Sequence, residues 1–282
     1  MITVKITGGL GNQMFQYAFG LAQEKRTGKK NYYDISFFEN QNPNSFRIFE
    51  LRNFNVKIRI KNILFIQKLN RKLKRRGISL FTNFFVTENN ATVFYSEFLK
   101  KRKIAIFDGY FQNEKYFIEY RKDILDAFTL TVPLNTENNN LIKEIKQTNS
   151  ISLHVRRGDY VNLQDYHGLC GLEYYKNAIS YVAEKTNEPH FYLFSDDIKW
   201  VVENLKIDFP YTIVDINDSK TGYFDLELMK NCKHNIIANS SFSWWGAWLN
   251  ENPEKIVIAP KQWFANEQND NCDIIPESWI KI

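Results

Sequence analysis

Two adjacent arginines close the stretch Ile151–Tyr160, in the order Arg156-Arg157-Gly158-Asp159. A guanidinium is planar, always charged and able to bond two oxygens at once, which suits a diphosphate. Ile151–Val155 reads as a short, mostly apolar strand between polar Thr148-Asn149-Ser150 and a charged turn. Side chains alternate along a strand, so the two arginines at its end point to opposite sides. One can face a ligand crevice, and the other can be held by a carboxylate such as Asp159. Gly158 lets the backbone turn sharply. Taken alone, RRGD reads more readily as a surface ion pair, which is common and weak. Its Arg-Gly-Asp tripeptide would matter for adhesion only in a secreted chain. The opening MITVKITGG is a strand pattern rather than a secretion signal, so the expectation is a cytoplasmic protein.

Three further stretches carry polar chemistry. Ile2–Thr7 alternates as a strand, Gly8-Gly9-Leu10-Gly11-Asn12-Gln13 follows, and Met14, Phe15, Tyr17, Ala18, Leu21 and Ala22 then recur at helical spacing. Glycines there let backbone N–H groups approach a ligand at a helix N-terminus. The third glycine of the dinucleotide fingerprint is missing, and Asn12 and Gln13 also read as helix caps. Asn239-Ser240-Ser241 opens a helix directly after an apolar strand; hydroxyls beside free N–H groups form a phosphate-binding end, or simply an N-cap ahead of a buried Trp244-Trp245-Trp248 core. Ser195-Asp196-Asp197 follows the strand His190–Phe194. The two acids resemble a metal clamp, but their spacing is wrong for one, and Ser195 as an N-cap with acids in the first turn accounts for them.

The elements that must position these groups alternate. Strands are expected near 151, 191, 211, 235 and 256, with helices over Leu172–Glu184 and Gly222–Cys232, so a parallel sheet covered on both faces follows. Ligands of such sheets sit at the carboxyl ends of the strands. Arg156, Ser195, Asp225 and Ser240 fall at or just after strand ends. In the first half, strands are expected over Lys29–Ser36 and Lys103–Phe107, with a helix across Asn113–Phe128. Residues 131–150, with Pro133 and Asn138-Asn139-Asn140, read as the linker between domains 1–135 and 136–282.

A chain of 282 residues, 44% hydrophobic, fits two domains of ordinary size or one large one. Its formal charge of +5 favours an anionic small ligand or an acidic surface over committed nucleic-acid binding. No apolar run reaches the ~18 residues of a membrane span. Cys170, Cys232 and Cys272 are odd in number and widely spaced, and read as reduced thiols. Residues 57–76 hold nine lysines and arginines and no acid, with Phe65, Ile66, Leu69 and Leu73 at helical spacing. That basic amphipathic helix reads either as a solvated surface helix or as a peripheral contact with an anionic inner membrane face.

HVRRGD, GGLGNQMFQYA and CKHNIIANSSFSWWGAWLN together resemble the bacterial-type α-1,2-fucosyltransferases, glycosyltransferase family 11. The three blocks lie in family order from residue 8 to residue 250. HxRRxD is shared with α-1,6- and protein O-fucosyltransferases, while the serine–tryptophan block points to the α-1,2 group. The resemblance implies an α/β GT-B fold, two Rossmann-like domains with an interdomain cleft. It implies transfer of L-fucose from GDP-β-L-fucose to the 2-hydroxyl of a galactose-terminated acceptor, with inversion, without a metal or other cofactor and without nucleic acid. By position, Arg156 would hold the β-phosphate, His154 and Asp225 would frame the guanine, and Ser240 and Ser241 would hold the pyrophosphate. Asn12 would reach the donor from the first domain, and Arg157 and Asp159 would shape the loop. Gln13, Ser195 and Phe242 complete the expected donor contacts, and Arg156, Asp159, Asp165 and His167 the expected catalytic set. An inverting transfer wants the attacking hydroxyl deprotonated. Where an α-1,6 relative has a glutamate, plain counting gives Gln164 here, which leaves Asp159, Asp165 and His167 as candidate bases, or no base at all.

Overall fold

The structure, a computed structural model, describes residues 1–39, 41, 46–78, 82–91, 93–158, 170–264 and 273–282. Asp159, Asp165, His167 and Cys272 therefore lie outside the described residues. The chain divides into two compact units, Met1–Thr131 and Val132–Ile282.

The first unit is built on β1 (Ile2–Lys5), β2 (Asn31–Asp34), β3 (Phe85–Thr87) and β4 (Ala105–Asp108), all parallel in the order β2-β1-β4-β3. Helix α1 (Leu10–Thr27) leaves β1 through Gly8, whose φ of +77° is one that a side chain resists. It ends at Gly28 in the left-handed conformation. Its inner face brings Phe19 onto Phe111, with ring centroids 4.0 Å apart, and edge-on to Phe107 and Tyr116. This aromatic cluster is the core of the unit and fixes where β4 leaves the sheet. Helix α2 spans Leu64–Lys74, shorter than the 57–76 window. Residues before it run extended instead, because Tyr33 N–H donates to Arg59 O and Lys61 N–H to Tyr33 O alongside β2. The helix expected across Asn113–Phe128 is broken into 3₁₀ turns at Glu114–Tyr116 and Ile118–Tyr120, and only α3 (Arg121–Ala127) is α-helical. Asn113 caps the first turn through Lys115 N–H, and burial of Tyr116 and Phe117 overrides helical continuity there.

The second unit begins with α4 (Thr136–Gln147), a helix inside the stretch expected to be a linker. Asn135 caps it through Asn138 N–H. Asn138 is buried and shares two 2.9 Å hydrogen bonds with Asn217, so tertiary contact and not composition decides this stretch. There follow β5 (Asn149–Val155), α5 (Leu172–Lys185), β6 (Pro189–Ser195), α6 (Ile198–Asn204), β7 (Tyr211–Ile213), α7 (Gly222–Asn231), β8 (His234–Ile236), α8 (Ser241–Leu249), β9 (Val257–Ala259) and β10 (Ile280–Lys281). All six strands are parallel, ordered β10-β9-β8-β5-β6-β7. Numbered within the unit this is 6-5-4-1-2-3, the strand order of a doubly wound nucleotide-binding sheet, and its direction reverses between β5 and β8. Two parallel-sheet α/β units thus stand where two Rossmann-like domains were expected.

Both faces of the second sheet are buried, as parallel sheets require. Ile151, Leu153, Val155, Phe191 and Leu193 pack on Tyr175, Ile179, Val182 and Val201 of α5 and α6. Tyr192 and Phe194 face the other way, onto Ile145, Leu228 and Met229 of α4 and α7. On that second face β5 presents Ser150, Ser152 and His154, all buried. Asn235 on β8 satisfies Ser152 with a 2.7 Å bond and is itself held by Asn250 at 2.8 Å. The asparagines of the serine–tryptophan block are therefore a buried polar brace between β5, β8 and the end of α8. Trp244, Trp245 and Trp248 of α8 are fully packed, with Trp244 Nε1 donating to Ile274 O at 2.7 Å.

Candidate functional site

The register of the second sheet brings three chain segments to one edge. Val155 pairs with Ser195, and Leu153 with Ile236, so continuing the ladder sets Arg156 level with Asp196 and Asn239. This edge lies at the carboxyl ends of β5, β6 and β8, beside the point where strand order reverses.

There Arg156 Nη1 meets Asp196 Oδ2 at 2.9 Å. The other oxygen of Asp196 accepts the backbone N–H of Arg157 at 2.9 Å. Arg157 turns to the opposite side, as alternation requires, with Nε 3.5 Å from Asp197 Oδ2 and its guanidinium 3.7 Å above the Trp200 ring. Both arginines are thus met by the acid pair after β6, while Asp159 lies outside the described residues. Asp197, not Ser195, caps α6, accepting Trp200 N–H at 3.1 Å. Ser195 Oγ accepts Asp197 N–H at 3.0 Å instead, closing the turn. The two carboxylates read from sequence as first-turn acids are therefore the arginine anchors. Gly158 leaves room for this packing, since a Cβ there would push Asp196 Oδ2 aside.

Ser240 caps α8, its hydroxyl accepting Phe242 N–H at 3.4 Å, and no acid stands in the first turn of that helix to offset its positive end. The Phe242 ring lies 5.9 Å from His154. His154 is 5% exposed, and its Nδ1 is buried with no hydrogen-bond partner among the described residues. Burial, then the neighbouring Arg156 charge, pulls its pKa down to about 4, so the ring is neutral near pH 7. Asp225 sits in the first turn of α7, beyond the loop that follows β7, and not at a strand end. Asn217 donates to it at 2.7 Å, yet burial raises its pKa to about 6. The chain Asn138–Asn217–Asp225 makes it part of a buried network.

In the first unit the glycine loop is braced from within α1. Gln13, wholly buried, donates to Gly8 O and Ile48 O at 2.9 and 2.8 Å and accepts Glu50 N–H at 3.0 Å. Its amide serves the loop. Gln16 accepts Thr7 N–H at 2.8 Å and donates to Gly109 O at 2.9 Å, tying the exits of β1 and β4 together. Neither Asn12 nor Gln13 caps the helix; Gly9 is the N-cap residue and has no side chain to offer. Asn12 is half-buried and accepts from Gln112 Nε2 at 2.8 Å.

Sequence reading missed four participants here: Gln16, Gln112 and the acids Glu50 and Glu88. Glu50 takes the Leu10 N–H at the start of α1. Glu88 Oε2 takes Tyr110 N–H at 2.7 Å and Phe111 N–H at 2.9 Å, holding Phe111 at a φ of +55°. Burial raises both carboxyls to about 7. Glu88 was hidden because β3, which delivers it, is only three residues long. Gln16 had a legible signal, standing one turn after Asn12 on the same helix face.

The profile of the family described as Glycosyl transferase family 11 matches residues 1–282. The chain is similar to an "Alpha-1,2-colitosyltransferase" of Escherichia coli, 35% identical over all of this chain and 99% of that protein. It is also similar to "O-antigen biosynthesis glycosyltransferase WbnK" of Escherichia coli, 33% identical over 98% of this chain and 99% of that one. "Galactoside 2-alpha-L-fucosyltransferase SEC1" of Bos taurus matches at 27% identity over 50% of this chain and 41% of its own length. Among solved structures, fucosyltransferase NodZ from Bradyrhizobium aligns with a TM-score of 0.47 at 14% identity, over 87% of this chain and 91% of that one. With the profile covering the chain from end to end, the protein belongs to glycosyl transferase family 11 and is a glycosyltransferase.

Proposed function

We propose that the protein is an inverting α-1,2-fucosyltransferase that moves L-fucose from GDP-β-L-fucose to the 2-hydroxyl of a galactose in a glycan acceptor. The observation that carries this reading is that Arg156, held by Asp196 at the end of β5, and the start of α8 after β8 fall on the same sheet edge, at the reversal point of a nucleotide-binding strand order. In the transfer, the galactose oxygen attacks C1 of fucose. The C1–O bond to the β-phosphate breaks with its electron pair on phosphate, and the hydroxyl proton passes to a base. The growing charge on GDP needs fixed donors. Arg156 supplies a guanidinium held in place by Asp196, and Ser240, Ser241 and the first N–H groups of α8 supply a helix N-terminus. His154, neutral and beside Phe242, and Asp225 frame the guanine. Asn12 is a further contact for the donor. Asp165 or His167 takes the proton, and no divalent ion takes part.

A second donor is favoured by one observation, the 35% identity to an α-1,2-colitosyltransferase. Colitose is fucose lacking the 3-hydroxyl. A site built to bond that hydroxyl rejects the deoxy sugar strongly, whereas a site without the bond accepts both. The test is incubation with GDP-fucose and GDP-colitose in separate and mixed reactions, with a panel of galactosides and a chelator present. Product linkage is read by NMR. An α-1,2-fucosyl product is expected; colitose transfer preferred over fucose would move the donor, and transfer that stops with chelator would remove the metal-free mechanism.

A further inference from the structure

Helix α2 carries a surface that the transfer chemistry does not use. Among residues 57–76 there are nine basic side chains and no acid. Arg59 is spent on Glu24 at 2.8 Å, and Lys61 lies over the Tyr32 ring. Lys57, Lys68, Arg71, Lys72, Lys74, Arg75 and Arg76 are exposed. The helix is closed by Gly77, where Gly77 N–H donates to Lys74 O and Ile78 N–H to Leu73 O, both at 3.0 Å. Its last-turn cations Arg71, Lys72 and Lys74 are favoured by the negative end of the helix.

The apolar residues of α2 do not all turn inward. Asn70 is buried, and Ile66 and Leu73 are half-buried on the same side. Phe65 stands on the other side and is 77% exposed, with Lys68 and Lys72 following it at i+3 and i+7 on its own face. Just ahead of the helix, Ile60 is 61% exposed. An aromatic ring held out in water between lysines gains nothing from the fold. It gains when the ring enters an acyl boundary while the flanking ammonium groups meet anionic headgroups. Duplex phosphates would satisfy the lysines but leave Phe65 and Ile60 without a use.

We infer that α2 docks the protein on an anionic lipid surface, with Phe65 as the apolar anchor and Lys68 and Lys72 as its headgroup contacts. No helix among the described residues is long and apolar enough to cross a membrane, and this contact needs none. The inference stands apart from the choice of donor sugar.

The full-length protein is sedimented with vesicles of phosphatidylcholine, and with vesicles that also contain phosphatidylglycerol, over a salt series. Wild type is expected to pellet only with the anionic vesicles, less so as salt rises. Phe65→Ser should weaken binding at least about tenfold and keep the salt dependence. Lys68→Glu with Lys72→Glu should weaken it and flatten the salt dependence. Thermal melts and transfer to a soluble galactoside confirm that both variants remain folded and active, since neither touches the proposed site. The inference is overturned if wild type fails to pellet with anionic vesicles at low salt, or if Phe65→Ser binds as wild type does. It is equally overturned if a single-stranded oligonucleotide displaces the protein from vesicles and Phe65→Ser weakens the oligonucleotide complex instead.

Discussion

Arg156 Nη1 and Asp196 Oδ2 are 2.9 Å apart, joining the ends of β5 and β6 at the edge where the sheet reverses its strand order. Both side chains are about a quarter exposed, so as a contribution to stability the pair is worth little, on the order of 0–1 kcal/mol. Its value lies in orientation. A guanidinium offers five donors in a fixed fork, and one carboxylate contact fixes the plane in which the others point.

Removing the charge and removing its anchor should therefore differ in kind. Arg156→Ala is expected to lower kcat by about 10²–10³ with the fold intact, the loss typical of an electrostatic contact to a leaving group. Asp196→Asn keeps the guanidinium but loosens it, so kcat/KM should fall by a smaller factor while urea unfolding changes by under about 1 kcal/mol. Steady-state kinetics beside urea melts check both, and an Arg156→Ala enzyme with near wild-type turnover ends the proposed role.

Gly158 tests the same pair through the backbone. A methyl group there must push the Asp196 carboxylate aside. Gly158→Ala should thus lower kcat/KM about as much as Asp196→Asn does. Combining the two should cost little more than either alone, because coupled residues are non-additive. A fully additive double mutant would mean that Gly158 acts on the loop and not on Asp196.

What sequence reading could and could not find follows from the range of the forces involved. Ile151–Val155 and His190–Phe194 are apolar runs bounded by polar turns, so β5 and β6 were legible from local pattern alone. Arg156 and Ser240 were legible as candidates because a residue just past such a strand has few places to go. Their partners were not, since Asp196 joins Arg156 only through the β5–β6 register. Asn138-Asn139-Asn140 misled for the same reason: asparagine signals a loop locally, but burial of Asn138 against Asn217 keeps α4 helical. The three-residue β3 and two-residue β10 are too short to show any period.

His154 should make stability fall on the acid side. The unfolded chain binds a proton at about 6.5, whereas burial and Arg156 hold the folded histidine unprotonated to about 4. Between those values the unfolded state binds more protons, so unfolding free energy should decrease as pH is lowered. Urea melts of wild type and His154→Gln across that interval measure the difference, and the variant should show the shallower slope. Equal slopes would assign the acid sensitivity to other groups.

Glu88 predicts the opposite sign. Its ordinary pKa of 4.5 is raised by burial to about 7, so here the folded state binds the extra proton. The stability it contributes is full below 4.5 and is lost as pH rises toward 7. Glu88→Gln, neutral throughout, should flatten that decline while its side-chain oxygen still accepts the Tyr110 and Phe111 N–H groups. Glu88→Ala should do worse at every pH, because it strands two amides and leaves Phe111 unsupported at a φ of +55°. The expected cost is about 1–3 kcal/mol. Since Phe111 precedes Gln112, the partner of Asn12, the alanine variant should also loosen that corner, whereas the glutamine variant should leave it near wild type. A glutamine variant that loses as much stability at pH 5 as the alanine variant would show that the charge, and not the brace, is what the loop requires.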